Sequence, residues 1–153
     1  MLYAKNISRF TALQLIPLLL ILLFAYTGTS KLTGHEKFLT QLEQLDMPYL
    51  ITHFAAMAVP VAELLIAFLL VTERFKQAGL WLSVAAMLFF TVYVMVILSG
   101  KHIPCSCGGV ISKMSWKQHL YFNISFLLLA TWALYYKINY AHKKGVSRKP
   151  STE

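Results

Sequence analysis

Four long apolar runs constrain the fold of this chain more than any other feature of its sequence. They cover about residues 11–28, 50–72, 78–99 and 120–136, and Glu63 is the one charged residue within them. An α-helix needs about 20 residues to cross about 30 Å of bilayer hydrocarbon. Short segments connect the runs, which favours helices that alternate in direction. The sequence therefore predicts an all-α membrane protein, a four-transmembrane-helix antiparallel bundle.

Composition and charge indicate lipid as the partner of this chain. Of its 153 residues, 58% are hydrophobic and 13% are charged, whereas soluble domains average about 45–50% apolar and about 25% charged residues. The net charge is +8, but the basic residues lie at the ends of the apolar runs, so we expect no nucleic acid partner. Residues 1–140 are predicted to form one membrane domain, and residues 141–153 a disordered basic cytoplasmic tail.

The distribution of lysine and arginine predicts the orientation, because cytoplasmic loops carry an excess of both. With four spans, both termini lie on one side, which holds nine basic residues: Lys5, Arg9, Arg74, Lys76, Lys137, Lys143, Lys144, Arg148 and Lys149. The other side holds five: Lys31, Lys37, Lys101, Lys113 and Lys117. We therefore predict a multi-pass protein of the bacterial inner membrane, with both termini cytoplasmic and residues 29–49 and 100–119 in periplasmic loops.

Both cysteines of the chain, Cys105 and Cys107, lie in the second of these loops. Pro104 precedes them and two glycines follow, so the backbone there is predicted to turn. Cysteines two residues apart can form a disulfide only with a distorted backbone, and strained, exposed disulfides are the labile ones. The nearby His102 could lower a thiol pKa and so raise the thiolate fraction. This pattern favours a redox pair with the cysteines as catalytic residues.

Two other interpretations of the cysteines stay open. His102, Cys105, Cys107 and His119 could in principle form a metal site with two sulfur and two nitrogen ligands. Their spacing matches no standard zinc pattern, so we predict no metal. Alternatively, the two cysteines are inert residues in a structural turn.

The second apolar run contains a proline and a glutamate, Pro60 and Glu63. A charge near the middle of a membrane helix costs about 2.5–3.5 kcal/mol on insertion scales, and such residues usually face the bundle interior. Glu63 is therefore a candidate for proton transfer or polar ligand binding, with His53 nearer the outer end of the same helix. Lys31 and His102 are further candidates. The alternative is a structural role in which Glu63 pairs with Lys31 or Arg74 and locks helices together.

The first predicted loop shows a shorter helical pattern. Phe38, Leu39, Leu42 and Leu45 fall at helical spacing among polar residues. This pattern is typical of an amphipathic helix that lies on a membrane surface. The helix should end before Pro48, because the residue preceding a proline disfavours the helical conformation.

Three motifs resemble the MauE/DoxX-like family of small bacterial membrane proteins. They are Gly28-x-x-Lys31-Leu32 at the end of the first run, Pro60-x-x-Glu63-Leu64 in the second, and Cys105-Ser-Cys107-Gly-Gly after the third. The first two are similar to motifs of DoxX-like proteins in general. The third resembles the methylamine-utilisation MauE branch, although that branch more often has Phe or Tyr directly after the second cysteine. The resemblance covers about residues 13–136.

The resemblance implies a four-helix membrane bundle similar in outline to vitamin K epoxide reductase. It also implies a link to thiol–disulfide chemistry, with a thioredoxin-like periplasmic partner and a role in the maturation of secreted proteins. The sequence contains no evident cofactor motif and no second cysteine pair, so a quinone is one carrier that could accept or supply the electrons. The alternatives are a non-catalytic membrane scaffold or assembly factor, and a small-solute or proton pathway through Glu63 and His53.

Overall fold

The computed structural model describes residues 10–43, 48–99 and 115–146, which are helical apart from short turns. The first helix begins with a π-helical turn, Thr11–Leu15, and continues as α1, Ile16–Thr33. It is followed by α2, His35–Glu43; α3, Tyr49–Val71; α4, Lys76–Ser99; and α5, Trp116–Val146. The predicted site residues His102, Cys105 and Cys107 lie outside the described residues.

The helix boundaries follow local sequence signals. The φ angle of Pro17 suits the first turn of α1, and Pro48 stands directly before α3. α1 continues to Thr33, beyond the predicted end near Gly28, because Gly28 is buried within the helix and Gly34 is the residue that ends it. α5 continues to Val146 and so includes the first residues of the predicted tail.

The four long helices pack as a ring in which each contacts its neighbours. α1 packs against α3 and α5, and α4 packs against α3 and α5. Side chains from all four helices form one apolar core, which comprises Ile16, Leu20, Phe24, Ile66, Ala67, Leu70, Leu80, Met87, Ala130, Ala133 and Leu134. We call the part of the bundle around this core the apolar half.

Three helices in the described part of the chain are long and apolar enough to cross a membrane: Thr11–Thr33, Tyr49–Val71 and Lys76–Ser99. Many of their large apolar side chains point outward, among them Leu22, Phe54, Phe68 and Phe89. This surface suits association with a lipid bilayer. α5 is longer still, but Asn123 and several tyrosines make it less apolar, and its crossing of the membrane stays a prediction.

The short helix α2 is amphipathic, as its sequence pattern predicts. Leu42 is buried and Phe38 is half-buried, whereas Glu36, Lys37 and Thr40 are exposed. α2 packs mainly against α3 and touches α1 near the end of that helix. It therefore lies beside the end of α1 that carries Lys31.

Candidate functional site

Glu63 lies on the face of α3 that points into the bundle. The buried residues of this helix recur every three or four positions: Thr52, Ala56, Pro60, Glu63, Ile66, Ala67 and Leu70. This spacing places them on one side of an α-helix. Glu63 is 2% exposed, so its carboxyl group is removed from both lipid and bulk water and requires polar partners inside the protein.

Lys31 of α1 supplies the charged partner. Its Nζ atom donates a hydrogen bond to Oε1 of Glu63 and forms an ion pair with it. Thr27 lies one turn before Lys31 on α1, and its hydroxyl is beside the same carboxyl group. The structure thus joins two sequence motifs, on α1 and on α3, through one contact in which Glu63 is buried and the Lys31 side chain is 25% exposed.

Gly28 allows the two helices to come this close. A Cβ atom at this position would lie 3.0 Å from Cγ of Leu64 and 3.1 Å from the carbonyl oxygen of Pro60. A backbone oxygen cannot move aside as the end of a side chain can, so any larger residue would push α1 away from α3. Small residues commonly permit such close contact between membrane helices. The ion pair therefore depends on the glycine three residues before Lys31.

Two aromatic rings complete the surroundings of the Lys31 ammonium group. Nζ lies 5.6 Å from the ring centroid of Phe38 on α2 and 5.0 Å from that of Phe90 on α4. Both distances fall within the range of a cation–π attraction. His119, near the start of α5, is close enough to interact electrostatically with Lys31. Side chains of α2, α3 and α4 therefore surround this cation of α1, and His119 of α5 lies within its electrostatic range.

Several buried polar atoms in the described residues have no hydrogen-bond partner there. They include Oε2 of Glu63, Nδ2 of Asn123 and Nδ1 of His35. Asn123 is 5% exposed and lies four residues after His119, so it shares the inward face of α5. We call the region defined by Lys31, Glu63, His119 and Asn123, with the rings of Phe38 and Phe90, the polar half of the bundle.

Glu63 and Asn123 offer opposite hydrogen-bonding groups in the polar half. Oε2 of Glu63 can accept a hydrogen bond and Nδ2 of Asn123 can donate one. A buried group of this kind costs about 1–3 kcal/mol if it stays unpaired. Both atoms lack a protein partner among the described residues, and the carboxylate of Glu63 is a group that can take up a proton.

The structure brings together only some of the residues predicted for the site. Lys31 and Glu63 are in contact, and this is one of the two pairings considered for a structural role of Glu63. His53 is not near Glu63, because ten residues of helix separate them by about 15 Å. Its Nδ1 lies 3.1 Å from the carbonyl oxygen of Tyr49, and the rings of these two residues are 3.9 Å apart.

Sequence reasoning missed two contributors to the polar half. Asn123 was visible as an amide within an apolar run, a type of residue that usually faces a helix partner in membranes. Phe90 gave no signal, because it is one of ten phenylalanines and most of them belong to apolar faces. Its role depends on which ring the fold places over Lys31.

A metal site has no support in the described ranges. There, no three side chains of His, Cys, Asp or Glu lie close enough together to hold a metal ion. His119 is described, but the other residues considered as ligands with it, His102, Cys105 and Cys107, lie outside those ranges.

Comparison with known proteins adds one finding. Residues 9–136 match the family described as methylamine utilisation protein MauE. No curated protein and no solved structure matches the chain. The match covers most of the sequence and includes the Gly28, Glu63 and Cys105 motifs.

Proposed function

The chain belongs to the MauE family, and from this membership we propose that it is a membrane thiol–disulfide relay with a Cys-x-Cys loop. It is a helical membrane protein of a family described by methylamine utilisation. In the proposal, Cys105 and Cys107 exchange electrons with a thioredoxin-like protein in the periplasm. The exchange would serve the maturation of secreted proteins.

The position of the cysteines along the chain carries this proposal. Both lie between Ser99, where α4 ends, and Trp116, where α5 begins. This connection adjoins the end of the bundle that contains His119, and His119 interacts with Lys31. We propose that the redox loop and the ion pair are at the same end of the bundle. We propose that this end faces the periplasm, that α5 forms the fourth membrane span, and that both termini are cytoplasmic.

The first step of the proposed exchange conserves electrons without an additional cofactor. A thiolate of the pair attacks the disulfide of the partner and forms a mixed disulfide, and the second thiolate then releases the partner as a dithiol. The pair is left as a disulfide. In the opposite direction, the dithiol of the partner reduces the disulfide of the pair. A quinone in the membrane could then oxidise the pair again: the two thiols give up two electrons and two protons, and the quinone becomes a quinol.

Trapping the redox state of the loop tests the relay. Cells are quenched in acid and labelled with a bulky maleimide, with and without prior reduction. We expect a mixture of oxidised and reduced forms that shifts when the thioredoxin-like partner or the quinone is removed. Cys105→Ser or Cys107→Ser alone should accumulate a mixed disulfide, and the double variant, which is the matched control, should not. A pair with a constant redox state under every condition would contradict the relay.

A proton or small-solute pathway is the second candidate, because Glu63 is buried with Oε2 unpaired among the described residues. Under this hypothesis, Glu63→Gln abolishes function and Cys105→Ser with Cys107→Ser does not. The relay gives the opposite result for the double cysteine variant. A scaffold or assembly factor tolerates the double cysteine variant and also Glu63→Gln, provided that the protein still folds.

A further inference from the structure

The turn between α3 and α4, residues 72–75, brings together charges from two helices. Lys76 at the start of α4 donates a hydrogen bond to Glu73, and Lys137 belongs to α5, which packs against α4. The hydrogen bond from Lys76 and the charge of Lys137 both lower the pKa of Glu73, so both lysines lie within its electrostatic range. Arg74 is exposed in the same turn. Among the described residues, three cations and one carboxylate therefore share this end of the bundle.

Lys76 is unusually buried for a lysine at the end of a helix. It is 9% exposed, and a buried charge requires pairing and hydrogen bonds. Its ammonium group has three donors, and within the described part of the chain Glu73 accepts from one of them at 2.6 Å. The side chain of Glu73 is itself 75% exposed, so water weakens this ion pair. Lys76 therefore retains donors for a second anionic acceptor.

Two tryptophans indicate the depth at which these charges lie in a bilayer. Trp81 follows Lys76 by five residues on α4, and Trp132 precedes Lys137 by five residues on α5. Five residues of helix span about 7.5 Å. Both tryptophans are exposed at the outer surface of the bundle, and such residues concentrate where hydrocarbon meets the headgroups. The two lysines therefore lie farther out, at the level of the lipid phosphates.

A lipid phosphate complements this group of charges. Its oxygens accept hydrogen bonds from ammonium and guanidinium groups, and its negative charge offsets the excess of cations. A zwitterionic lipid also brings a cation, which the lysines repel, whereas an anionic phospholipid brings none. Basic groups between membrane helices commonly bind anionic headgroups.

We infer that Lys76, Lys137 and Arg74 form a binding site for the headgroup of an anionic phospholipid at the turn between α3 and α4. The phosphate takes the spare donors of Lys76, and the lipid tails lie along the apolar surface beside Trp81 and Trp132. This inference does not rest on the cysteines and goes beyond the proposed relay.

Quenching of tryptophan fluorescence by brominated lipids tests the site. The chain has three tryptophans, and Trp116→Phe leaves Trp81 and Trp132 as the source of the signal. The protein is reconstituted in phosphatidylcholine vesicles with a small fraction of brominated phosphatidylglycerol or, separately, brominated phosphatidylcholine. We expect an association constant at least roughly fivefold higher for phosphatidylglycerol. Equal quenching by the two lipids would overturn the inference.

Single substitutions in this background show which residues cause the preference. Lys76→Gln and Lys137→Gln should each lower the preference roughly fivefold. Lys37→Gln removes an equal charge from the exposed face of α2 and should leave the preference unchanged. An equal fall in all three variants would mean that net charge alone attracts the lipid, which contradicts a site. If Lys76→Gln does not fold, Lys137→Gln carries the test, because Lys137 is only half-buried.

Glu73→Gln should change the preference in the opposite direction. It removes the carboxylate that competes for Lys76, so the association constant for phosphatidylglycerol should rise, a result that loss of folding cannot imitate. A fall would show that the ion pair only holds the turn in place, and the inference would be wrong.

A competition experiment distinguishes the lipid from a soluble anion. Inorganic phosphate should reduce quenching by brominated phosphatidylglycerol no more than sodium chloride of the same ionic strength does, because both screen charges equally. A larger reduction by phosphate would assign the site to a soluble anion and overturn the assignment to lipid.

Discussion

The two halves of this bundle are held together by different interactions. In the apolar half, Leu20, Phe24 and Leu70 are fully or almost fully buried against side chains of the other helices. In the polar half, α1 and α3 are joined by the ion pair of Lys31 and Glu63. Apolar contacts are many and individually weak, whereas the ion pair is one contact that both partners need.

This difference indicates which half of the bundle can hold a functional site. Small changes of packing within the apolar core should alter stability alone, because the core residues named above carry no titratable side chain. In the polar half, the carboxylate of Glu63 and the rings of Phe38 and Phe90 surround the cation of Lys31, and α5 contributes the buried amide of Asn123. The bundle can accommodate these polar groups because packing in the apolar half stabilises the fold.

Loss of one partner of the ion pair gives the largest expected effect. Lys31→Met leaves the carboxylate of Glu63 buried without its cation, which should destabilise the protein by about 3–5 kcal/mol. Thermal unfolding in detergent measures the loss. The double variant Lys31→Met with Glu63→Gln removes both charges and should recover much of the stability. If the two variants are equally unstable, the packing of the Lys31 side chain, and not the pairing of charges, determines the stability of this half.

Two glycines, one in each half, sharpen the comparison. A Cβ atom at Gly79 would lie 3.0 Å from the backbone nitrogen of Leu70, and one at Gly28 would lie 3.1 Å from the carbonyl oxygen of Pro60. Gly28→Ala and Gly79→Ala should each cost about 1–3 kcal/mol through overpacking, measured by thermal unfolding.

The two glycine variants should differ in a second measurement. Gly28→Ala separates α1 from α3 at the ion pair, so it should cost less stability in a background of Lys31→Met with Glu63→Gln, where no ion pair remains. Gly79→Ala is the matched control and should cost the same in both backgrounds. Equal changes in both variants would mean that the two halves do not behave independently.

The smallest effect is expected at the turn between α3 and α4, outside the membrane-spanning segments. Lys76 donates a hydrogen bond to Oε1 of Glu73 at 2.6 Å, and this bond lowers the pKa of Glu73. A lowered pKa in the folded state stabilises the protein above the unfolded pKa of about 4.3, and this contribution disappears as the pH falls through the folded value. Glu73 is exposed, so the contribution should be about 0.2–1 kcal/mol.

Unfolding of wild type and of Glu73→Gln between pH 3 and 7 should therefore differ slightly near neutral pH and converge in acid. A difference that grows in acid would contradict the assignment, because it would have the opposite sign.

Much of the fold could be predicted from patterns among residues that are close together in the sequence. The apolar runs predicted the long helices, and the spacing of Phe38 and Leu42 predicted the short amphipathic one. The family resemblance was confirmed over residues 9–136. The end of α1 was placed too early, at Gly28, because a glycine that ends a helix and one buried against another helix look alike in sequence.

The sequence by itself determined that the chain is helical, that it is suited to lipid, and that Glu63 requires a partner. Hydrophobic length and the cost of a buried charge are properties of the residues themselves, so they can be read without a fold. Only the tertiary structure decided that Lys31 is that partner, that Phe90 and Asn123 line the same half, and that His53 does not. These relations join residues far apart in the chain, and they depend on which helices pack together and in which rotation.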